Sequence, residues 1–454
     1  MVIEMPIDIN RLRPERGGDI EEVRRSEIAR FRDGSFVDLA VAADQNWRHL
    51  SFSLQQAQKT LNALNEVVKK KKKDSKGADP CAEEVDQMAG LKKSIAELQP
   101  QETQAATDLR LALDKIGNIV HPSVPISDNE DDNREERKWG EPNRIEIDNT
   151  PGKYFHHAVL ARIDGFDPVR GAKVAGHRGY YLKGPGVLLN QALINYGMHF
   201  LSKRGYTLVQ PPFFMKKSIM GLTAELADFD DQLYKVSATN EQGDEGAYLI
   251  ATSEQPICAM HMGEWLPEKD LPIRYAGYSS CFRKEAGAHG KDTWGIFRVH
   301  QFEKIEQFVI TTPELSWQTH DEMIASAEEF YQSLQLPYRV IAIVSGALNG
   351  AAAKKYDLEA WFPGYNTYRE LVSCSNCLDF QSRAVEVRCG TKSATGEKRY
   401  VHMLNATLCA TERTLCCILE NYQTETGVTV PEVLRPFMGG LDFIPYTKEY
   451  VKQT

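Results

Sequence analysis

Apolar residues in the first third of the chain fall at alternating steps of four and three: Ala43, Trp47, Leu50, Leu54, Ala57, Leu61, Leu64 and Val68. That spacing is the seam of a coiled coil and predicts one long helix. A second seam runs through Met88, Leu91, Ile95, Leu98, Glu102, Ala105, Leu109, Ala112, Ile116 and Ile119, with only Glu102 breaking the apolar series. Two long helices with one turn between them make an antiparallel hairpin. Its reach is that of an arm rather than a globular core, since about 40 helical residues extend roughly 60 Å. Between the seams lies "KKKKKDSKGADP", residues 69–80, in which Asp79 and Pro80 read as N-cap and first residue of the second helix. Pro100 falls inside that helix, where it removes a backbone donor, and it predicts a kink.

The pattern changes after Val120. "HPSVPISDNEDDNREERKWGEPNR" is polar, acidic and punctuated by prolines, so residues 121–150 read as a linker between an arm at 1–120 and a second domain at 151–454. In that domain short apolar runs such as "YTLVQ", "AYLIAT" and "EQFVI" alternate with helical stretches, among them "GVLLNQALINYGMHFLSKRG". The order predicts an α+β domain with a mostly antiparallel sheet flanked by helices, behind an N-terminal helical hairpin. No internal repeat is visible.

With 454 residues and 42% hydrophobic content the chain can build more than one core. A formal charge of −9 argues against nucleic-acid binding by overall charge, so any basic surface is local. One such surface is at hand: Lys69, Lys70, Lys71, Lys72 and Lys73 at the tip of the hairpin, with Lys59, Lys92, Lys93 and Arg110 along it. The run reads either as a solvated turn or as a phosphate-contacting footprint. The first residues lack the apolar core of a signal peptide, and nowhere do 18 apolar residues run together, so a cytosolic protein without a membrane span is expected. Nine cysteines along so long a chain fit reduced thiols. Cys374 and Cys377 have the spacing of half a zinc site, but no second pair follows, and no zinc is expected. "KGPGVL", residues 183–188, is Gly-rich without phosphate-loop spacing and reads as a turn before a helix.

Candidate chemistry concentrates in "CFRKEAGAHGKDTWGIFRVHQFEKIEQF", residues 281–308. On a strand, Arg283 and Glu285 face the same side. An arginine there can fork onto phosphate oxygens, and a glutamate can accept from amino or hydroxyl groups. "AGAHGKDTWG" reads as a hairpin loop with basic His289 and Lys291, and the alternation beyond it puts Phe302, Lys304 and Glu306 on one face. Taken alone, the pattern also fits a surface salt bridge beside a core phenylalanine.

Two further stretches change the weighting: "SKRGYTLVQPPFF", residues 202–214, and "HMLNATLCATERTLCCILENYQ", residues 402–423. Together and in this order the three resemble the signature motifs of class II aminoacyl-tRNA synthetases. "TSE" at 252–254, "EAWFPG" at 359–364, "RELVSCSN" at 369–376 and the helical arm resemble the seryl-tRNA synthetases of the eukaryotic cytosolic kind. The resemblance covers almost the whole chain. It implies a two-step ligation of serine to serine tRNA through seryl-adenylate, with ATP and L-serine as substrates and magnesium accompanying ATP. It extends to selenocysteine tRNA where one exists, and it implies a homodimer built through the first motif.

Residue by residue, the resemblance places Arg283 at the α-phosphate of ATP and Arg413 at the far phosphates, with Glu285 beside the nucleotide. Phe302 stacks under adenine, Val299 lines the nucleotide pocket, and Glu370 and Ser373 serve ATP and its magnesium. Serine falls to Thr252, Glu254, Glu306 and Asn405, with Thr407 a further candidate. The long variable arm of serine tRNA is the partner of the hairpin. Three other readings are weighed: a class II enzyme for threonine or proline, against which the arm argues; a non-catalytic RNA-binding relative, against which the retained Arg283, Glu285 and Arg413 argue; and a coiled-coil structural protein, which accounts for the first 120 residues alone. The sequence ends on "IPYTKEYVKQT" without the basic tail of many eukaryotic relatives, and functions tied to such a tail are not carried over.

Overall fold

The computed structural model describes residues 6–142, 153–223, 232–236, 246–285, 294–391 and 398–450. The chain divides into two compact units, Met1–Ile119 and Val120–Thr454.

In the first unit a short helix, α1 (Ile20–Ala29), precedes the two long ones, α2 (Ser35–Asp74) and α3 (Ala82–Leu113). The seam positions of both long helices are mostly buried or half-buried, while the residues between them are mostly exposed. At the base, Val37 and Ala40 of α2 pack with Leu109 and Leu113 of α3 and with Ile7, Leu12, Val23 and Ile116 in one cluster. The polar break in the second seam has a partner, since the Trp47 indole N–H donates to Glu102 Oε1 at 2.9 Å. The second helix starts later than the sequence suggests, at Ala82 rather than Pro80. Asp79 Oδ1 does accept a backbone N–H, that of Cys81, but Cys81 takes a left-handed conformation with φ of 50° and delays the helical run. Pro100 lies inside α3, which continues past it to Leu113.

The second unit is built on an eight-stranded sheet. Its strands, in chain order, are β1 (Arg134–Trp139), β2 (Thr207–Val209), β3 (Ile273–Phe282), β4 (Gln301–Thr311), β5 (Tyr338–Ala342), β6 (Lys354–Phe362), β7 (Thr367–Asn376) and β8 (His402–Ala410). Across the sheet they run β1-β5-β6-β7-β8-β4-β3-β2, antiparallel throughout except for the β2/β3 pair. The stretch read as a linker therefore contributes an edge strand, β1. Its sequence, "REERKW", lies almost wholly exposed and so carries no apolar alternation to announce it.

Five helices of this unit bear on the cleft described below: α4 (Pro185–Ser202), α5 (Glu254–Cys258), α6 (Ser316–Ser333), α7 (Phe380–Ala384) and α8 (Thr411–Tyr422). Of these, α4, α6 and α8 cover one face of the sheet. Gly184, with φ of 48°, makes the turn ahead of α4, and Pro185 opens the helix. Leu189 and Leu193 of α4, Ile324 and Phe330 of α6, and Leu415 and Ile418 of α8 form one core with Ile305 and Val309 of β4 and Leu358, Val372 and Leu404 of β6, β7 and β8. Each such side chain contributes about 1.5 to 3 kcal/mol by leaving water. Strand alternation then dictates the other face. Odd-numbered Ile305 and Val309 of β4 enter the core, so Phe302, Lys304 and Glu306 must project the opposite way. Further along that opposite face, Phe308 and Ile310 are capped by Ile257 and Cys258 of α5 together with Val385, Val387 and Val401. What remains open is a cleft over the middle of the sheet.

Candidate active site

The cleft encloses about 250 Å3 and gathers residues from separate stretches of chain. Arg283, Glu285, Val299, Phe302, Glu370, Ser373 and Arg413 line it, and so do Thr252, Glu254, Glu306, Asn405 and Thr407. All twelve residues singled out for ATP and serine thus converge on one cavity. His289 and Lys291 lie outside the described residues.

Local irregularities make this convergence possible. Between β6 and β7 the register slips, so that Glu359 faces Glu370, Leu358 faces Val372, and Leu371 has no partner. On a regular strand Glu370 and Ser373, three apart, would face opposite ways, and the bulge brings both to the cavity. A second slip leaves Leu408 unpaired between β8 and β4, and Ala410 comes to line the cleft along with Asn405 and Thr407. Arg283 and Glu285 reach the same cavity by a different route from the one strand alternation suggests. Strand β3 ends at Phe282, and Glu285 stands in a left-handed conformation with φ of 50°. Arg283 is fixed by its backbone: its N–H donates to His300 O at 2.9 Å, and its carbonyl faces His300 Nδ1 at 3.0 Å.

Two of the three cavity arginines, Arg283 and Arg413, lie over aromatic rings. The guanidinium carbon of Arg283 is 5.3 Å from the Phe302 ring centre, and that of Arg413 is 5.0 Å from Phe297. An arginine held in this way keeps its N–H edge available for planar acceptors. Arg413 also reaches Glu370 Oε2 at 3.4 Å and the Phe297 carbonyl at 3.4 Å, while Arg298 pairs with Glu285 at 3.5 Å. Desolvation alone would raise the Glu370 carboxyl, but Arg413, then Lys355 and Arg283, outweigh it and hold the group below the ordinary carboxylate range.

At the other end, carboxylates and amides interlock. Glu254 Oε1 accepts from Gln381 Nε2 at 2.7 Å and from Asn405 Nδ2 at 3.0 Å. Glu306 Oε2 accepts from the Thr407 hydroxyl at 3.3 Å and pairs with Lys304 Nζ at 2.6 Å. Burial, and then the Glu306 carboxylate, push Glu254 up to about 7.

The cleft also contains residues to which the motifs assign no role: Phe297, Arg298, Lys304, Asn349, Ser375 and Glu412. Strand alternation already puts Lys304 on the face of Phe302 and Glu306, and Ser375 could have been found in the same way, two residues from Ser373 on one strand. Asn349 comes from a loop with no periodicity. Glu412 is buried at 2% exposure, accepts from the Tyr180 hydroxyl and the Glu303 N–H, and is raised well above the carboxylate range by burial and by Glu303.

Magnesium needs hard oxygen donors, and the cleft offers an exposed Glu370 carboxylate held ionised and, across the bulge but facing the same cavity, the Ser373 hydroxyl. Among the described residues no group of three or more His, Cys, Asp or Glu could hold a metal ion. One carboxylate and one hydroxyl suit an ion that takes its remaining ligands from substrate phosphates and water.

Two family models match the chain: the seryl-tRNA synthetase N-terminal domain over residues 7–120, and the class II tRNA synthetase core domain of the G, H, P, S and T enzymes over residues 234–422. The cytoplasmic serine-tRNA ligase of Schizosaccharomyces pombe is 53% identical, with 99% of this chain and 98% of that protein covered. That of Dictyostelium discoideum is 54% identical over 99% and 97%. Among solved structures, the cytoplasmic serine-tRNA ligase of Naegleria fowleri in complex with AMP superimposes with a TM-score of 0.85 at 46% identity, covering 97% of this chain and 99% of its own. The seryl-tRNA synthetase of Pyrococcus horikoshii complexed with ATP gives a TM-score of 0.87 at 37% identity, over 97% and 100%. Arm, sheet and cleft together are matched end to end, and the chain belongs to the seryl-tRNA synthetases of class II.

Proposed function

We propose that the twelve cleft residues divide the work of serine activation between a phosphate end and an amino-acid end. The activity itself is the ATP-dependent joining of serine to tRNA by way of seryl-adenylate. In the first step a serine carboxylate oxygen bonds to the α-phosphorus of ATP, and the bond to the leaving pyrophosphate breaks. In the second, the 3′-hydroxyl of the terminal adenosine of tRNA attacks the seryl carbonyl and AMP leaves. Neither step requires a covalent bond to the protein, so its contribution is positioning and charge stabilisation.

Arg283 is assigned to the α-phosphate, where negative charge grows as the new bond forms. Arg413 takes the far phosphates. Phe302 forms the floor under adenine, with Val299 beside it, and Glu285 accepts from the nucleotide. Glu370 and Ser373 would hold magnesium, which would neutralise phosphate charge when bound. Thr252, Glu254, Glu306, Asn405 and Thr407 hold serine: carboxylates suit the ammonium, and the amide and hydroxyl groups suit the small side chain. A site whose polar groups are satisfied only by a substrate hydroxyl rejects alanine strongly.

The observation that carries this reading is the meeting, in one cavity, of two arginines from separate motifs with the Glu254–Asn405 and Glu306–Thr407 pairs. Its test is pyrophosphate exchange with each of the twenty amino acids in turn. Serine alone should support rapid exchange, and equal exchange with threonine or alanine would overturn the assignment of the amino-acid end.

Two partners complete the reading. A second copy of the chain is proposed to cover the exposed apolar residues Leu208 of β2 and Phe214, within the first motif, together with Val187 and Leu188 at the start of α4, the helix that leads into it. Serine tRNA is proposed to lie along the arm, whose Lys59, Lys92, Lys93 and Arg110 are exposed together with the tip lysines. The relatives' names place those enzymes in the cytoplasm, and that location is carried to this chain; among the described residues no helix is long and apolar enough to cross a membrane.

A further inference from the structure

Glu254 enters the cleft with one of its two carboxylate oxygens already engaged. Oε1 takes both amide donors, from Gln381 at 2.7 Å and Asn405 at 3.0 Å. Among the described residues no side chain donates to Oε2, and that oxygen is not one of the sealed, partnerless atoms of the interior. Asn405 lines the cleft with Glu254, whereas Gln381 stands behind it, on α7, at 5% exposure. Gln381 touches no part of the cavity, yet it makes the shorter of the two bonds.

The rest of the Gln381 amide is poorly served. Its carbonyl Oε1 is buried without a hydrogen-bond partner. Reversing the amide would set that carbonyl against a carboxylate oxygen, so the charge of Glu254 dictates the orientation. An orphaned buried carbonyl is unfavourable, and a methionine or leucine would fill the same space without one. Space-filling does not account for an amide here. Its donor does.

We propose that Gln381 is a positioning residue for the amino-acid substrate: by holding Oε1 of Glu254 from behind, it turns Oε2 into the cleft as a preset acceptor for the ammonium or hydroxyl of serine. The inference rests on the assignment of Glu254 to the serine end. Electrostatics point the same way. Burial and Glu306 of β4 favour the neutral form of Glu254, while the Gln381 donor, Lys304 of β4 and Arg283 favour the carboxylate; Cys258 on its own helix and Cys377 beyond β7 are the remaining titratable neighbours and are held neutral by burial. Gln381 thus supports both the direction and the charge of the acceptor.

The test is pyrophosphate exchange on the full chain, wild type against Gln381→Met, with serine and ATP varied separately. The variant should raise the KM for serine about tenfold or more while the KM for ATP stays within about twofold, the loss expected of one hydrogen bond to a charged group. The acid limb of kcat/KM for serine should move to higher pH, because a donor that favours the carboxylate has gone. A residue that merely packs would change both KM values or neither and leave the pH profile in place, and that result overturns the proposal. Glu254→Ala is measured alongside. If it leaves the KM for serine unchanged, the assignment of Glu254 fails and the inference with it; if it raises that KM and Gln381→Met does not, the inference alone fails. Should Gln381→Met not fold, Gln381→Glu keeps the size of the side chain, replaces the donor with an acceptor, and carries the same expectations.

Discussion

Thr407 and Glu306 are direct partners on adjacent strands, and the Thr407 hydroxyl donates to Glu306 Oε2 at 3.3 Å while Lys304 Nζ reaches the same oxygen at 2.6 Å. The Lys304 and Glu306 side chains are only 8% and 2% exposed, so neither charge tolerates the loss of the other. Glu306→Ala should lower the stability of the catalytic unit by about 3 kcal/mol, because it strands a buried ammonium. The double variant Glu306→Ala with Lys304→Met should recover most of the lost Tm without recovering serine activation. Recovery of both would show that Glu306 serves the fold alone.

Arg283 offers the cleanest test of the phosphate end. Arg283→Ala should cut pyrophosphate exchange by a factor of about 10² to 10³, as the loss of a preorganised charge at a reacting centre does. Among the described residues its side chain makes one long hydrogen bond, to the Ala251 carbonyl at 3.4 Å, so the circular dichroism spectrum should not change. Exchange within twofold of wild type removes Arg283 from the reaction.

Glu254 gives the amino-acid end a pH signature. Its carboxyl is pushed up from the ordinary 4.5 to about 7 by burial and by Glu306. If the ionised form binds serine, affinity is full above that value and falls as pH drops through it. The KM for serine should therefore rise between pH 7.5 and pH 6 by about tenfold per unit at the limit, and the slope should vanish in Glu254→Gln. A slope that survives the substitution belongs to another group.

The exposed apolar residues of the first motif predict the assembly state. Sedimentation at micromolar concentration should give a species near twice 51.2 kDa. Leu208→Asp, on the edge strand β2, should shift it toward the monomer, since a charge is poorly accommodated in an apolar interface. A wild-type monomer would leave Leu208 and Phe214, at 46% and 60% exposure, without an explanation.

The lysine run at the tip divides by its ion pairs. Lys69 pairs with Glu66 and Lys71 with Glu84, whereas among the described residues Lys70, Lys72 and Lys73 have no salt-bridge partner. Replacing all five with glutamine should lower the slope of log affinity for tRNA against log salt by about 0.7 to 0.9 for each phosphate that a lysine no longer neutralises. An unchanged slope moves the binding surface to Lys59, Lys92, Lys93 and Arg110. Deleting the arm should leave serine-dependent pyrophosphate exchange nearly intact and abolish aminoacylation, and full aminoacylation without it would overturn the role given to the first unit.

How far the molecule is legible in its sequence depends on whether a feature repeats. The two seams of the arm recur at every turn, so both long helices can be placed from spacing alone, and β4 shows its two faces through the alternation of Phe302, Lys304 and Glu306 against Ile305 and Val309. Single-residue events leave no such trace. The unpaired Leu371 and Leu408, the left-handed Cys81 and Glu285, and the polar edge strand Arg134–Trp139 each depend on the surrounding fold rather than on a local pattern. The twelve candidate residues can be gathered into one cleft despite the bulges because the motif resemblance groups them without needing to know which way a strand turns. Gln381 escapes notice because it acts from behind the cavity wall, where neither motif nor alternation points.

A seam of uniformly apolar side chains can slide by a whole heptad at little cost, because every knob finds an equivalent hole. Trp47 and Glu102 deny the arm that freedom. Their half-buried hydrogen bond has one satisfactory alignment, and any slippage would break it. The pair therefore acts as a vernier on the hairpin: it sets which residues stand opposite each other along the whole arm, and so fixes how far the lysine tip extends. An arm proposed to lie along RNA needs a constant length, and this contact shares with the Lys71–Glu84 pair nearer the tip the work of supplying it.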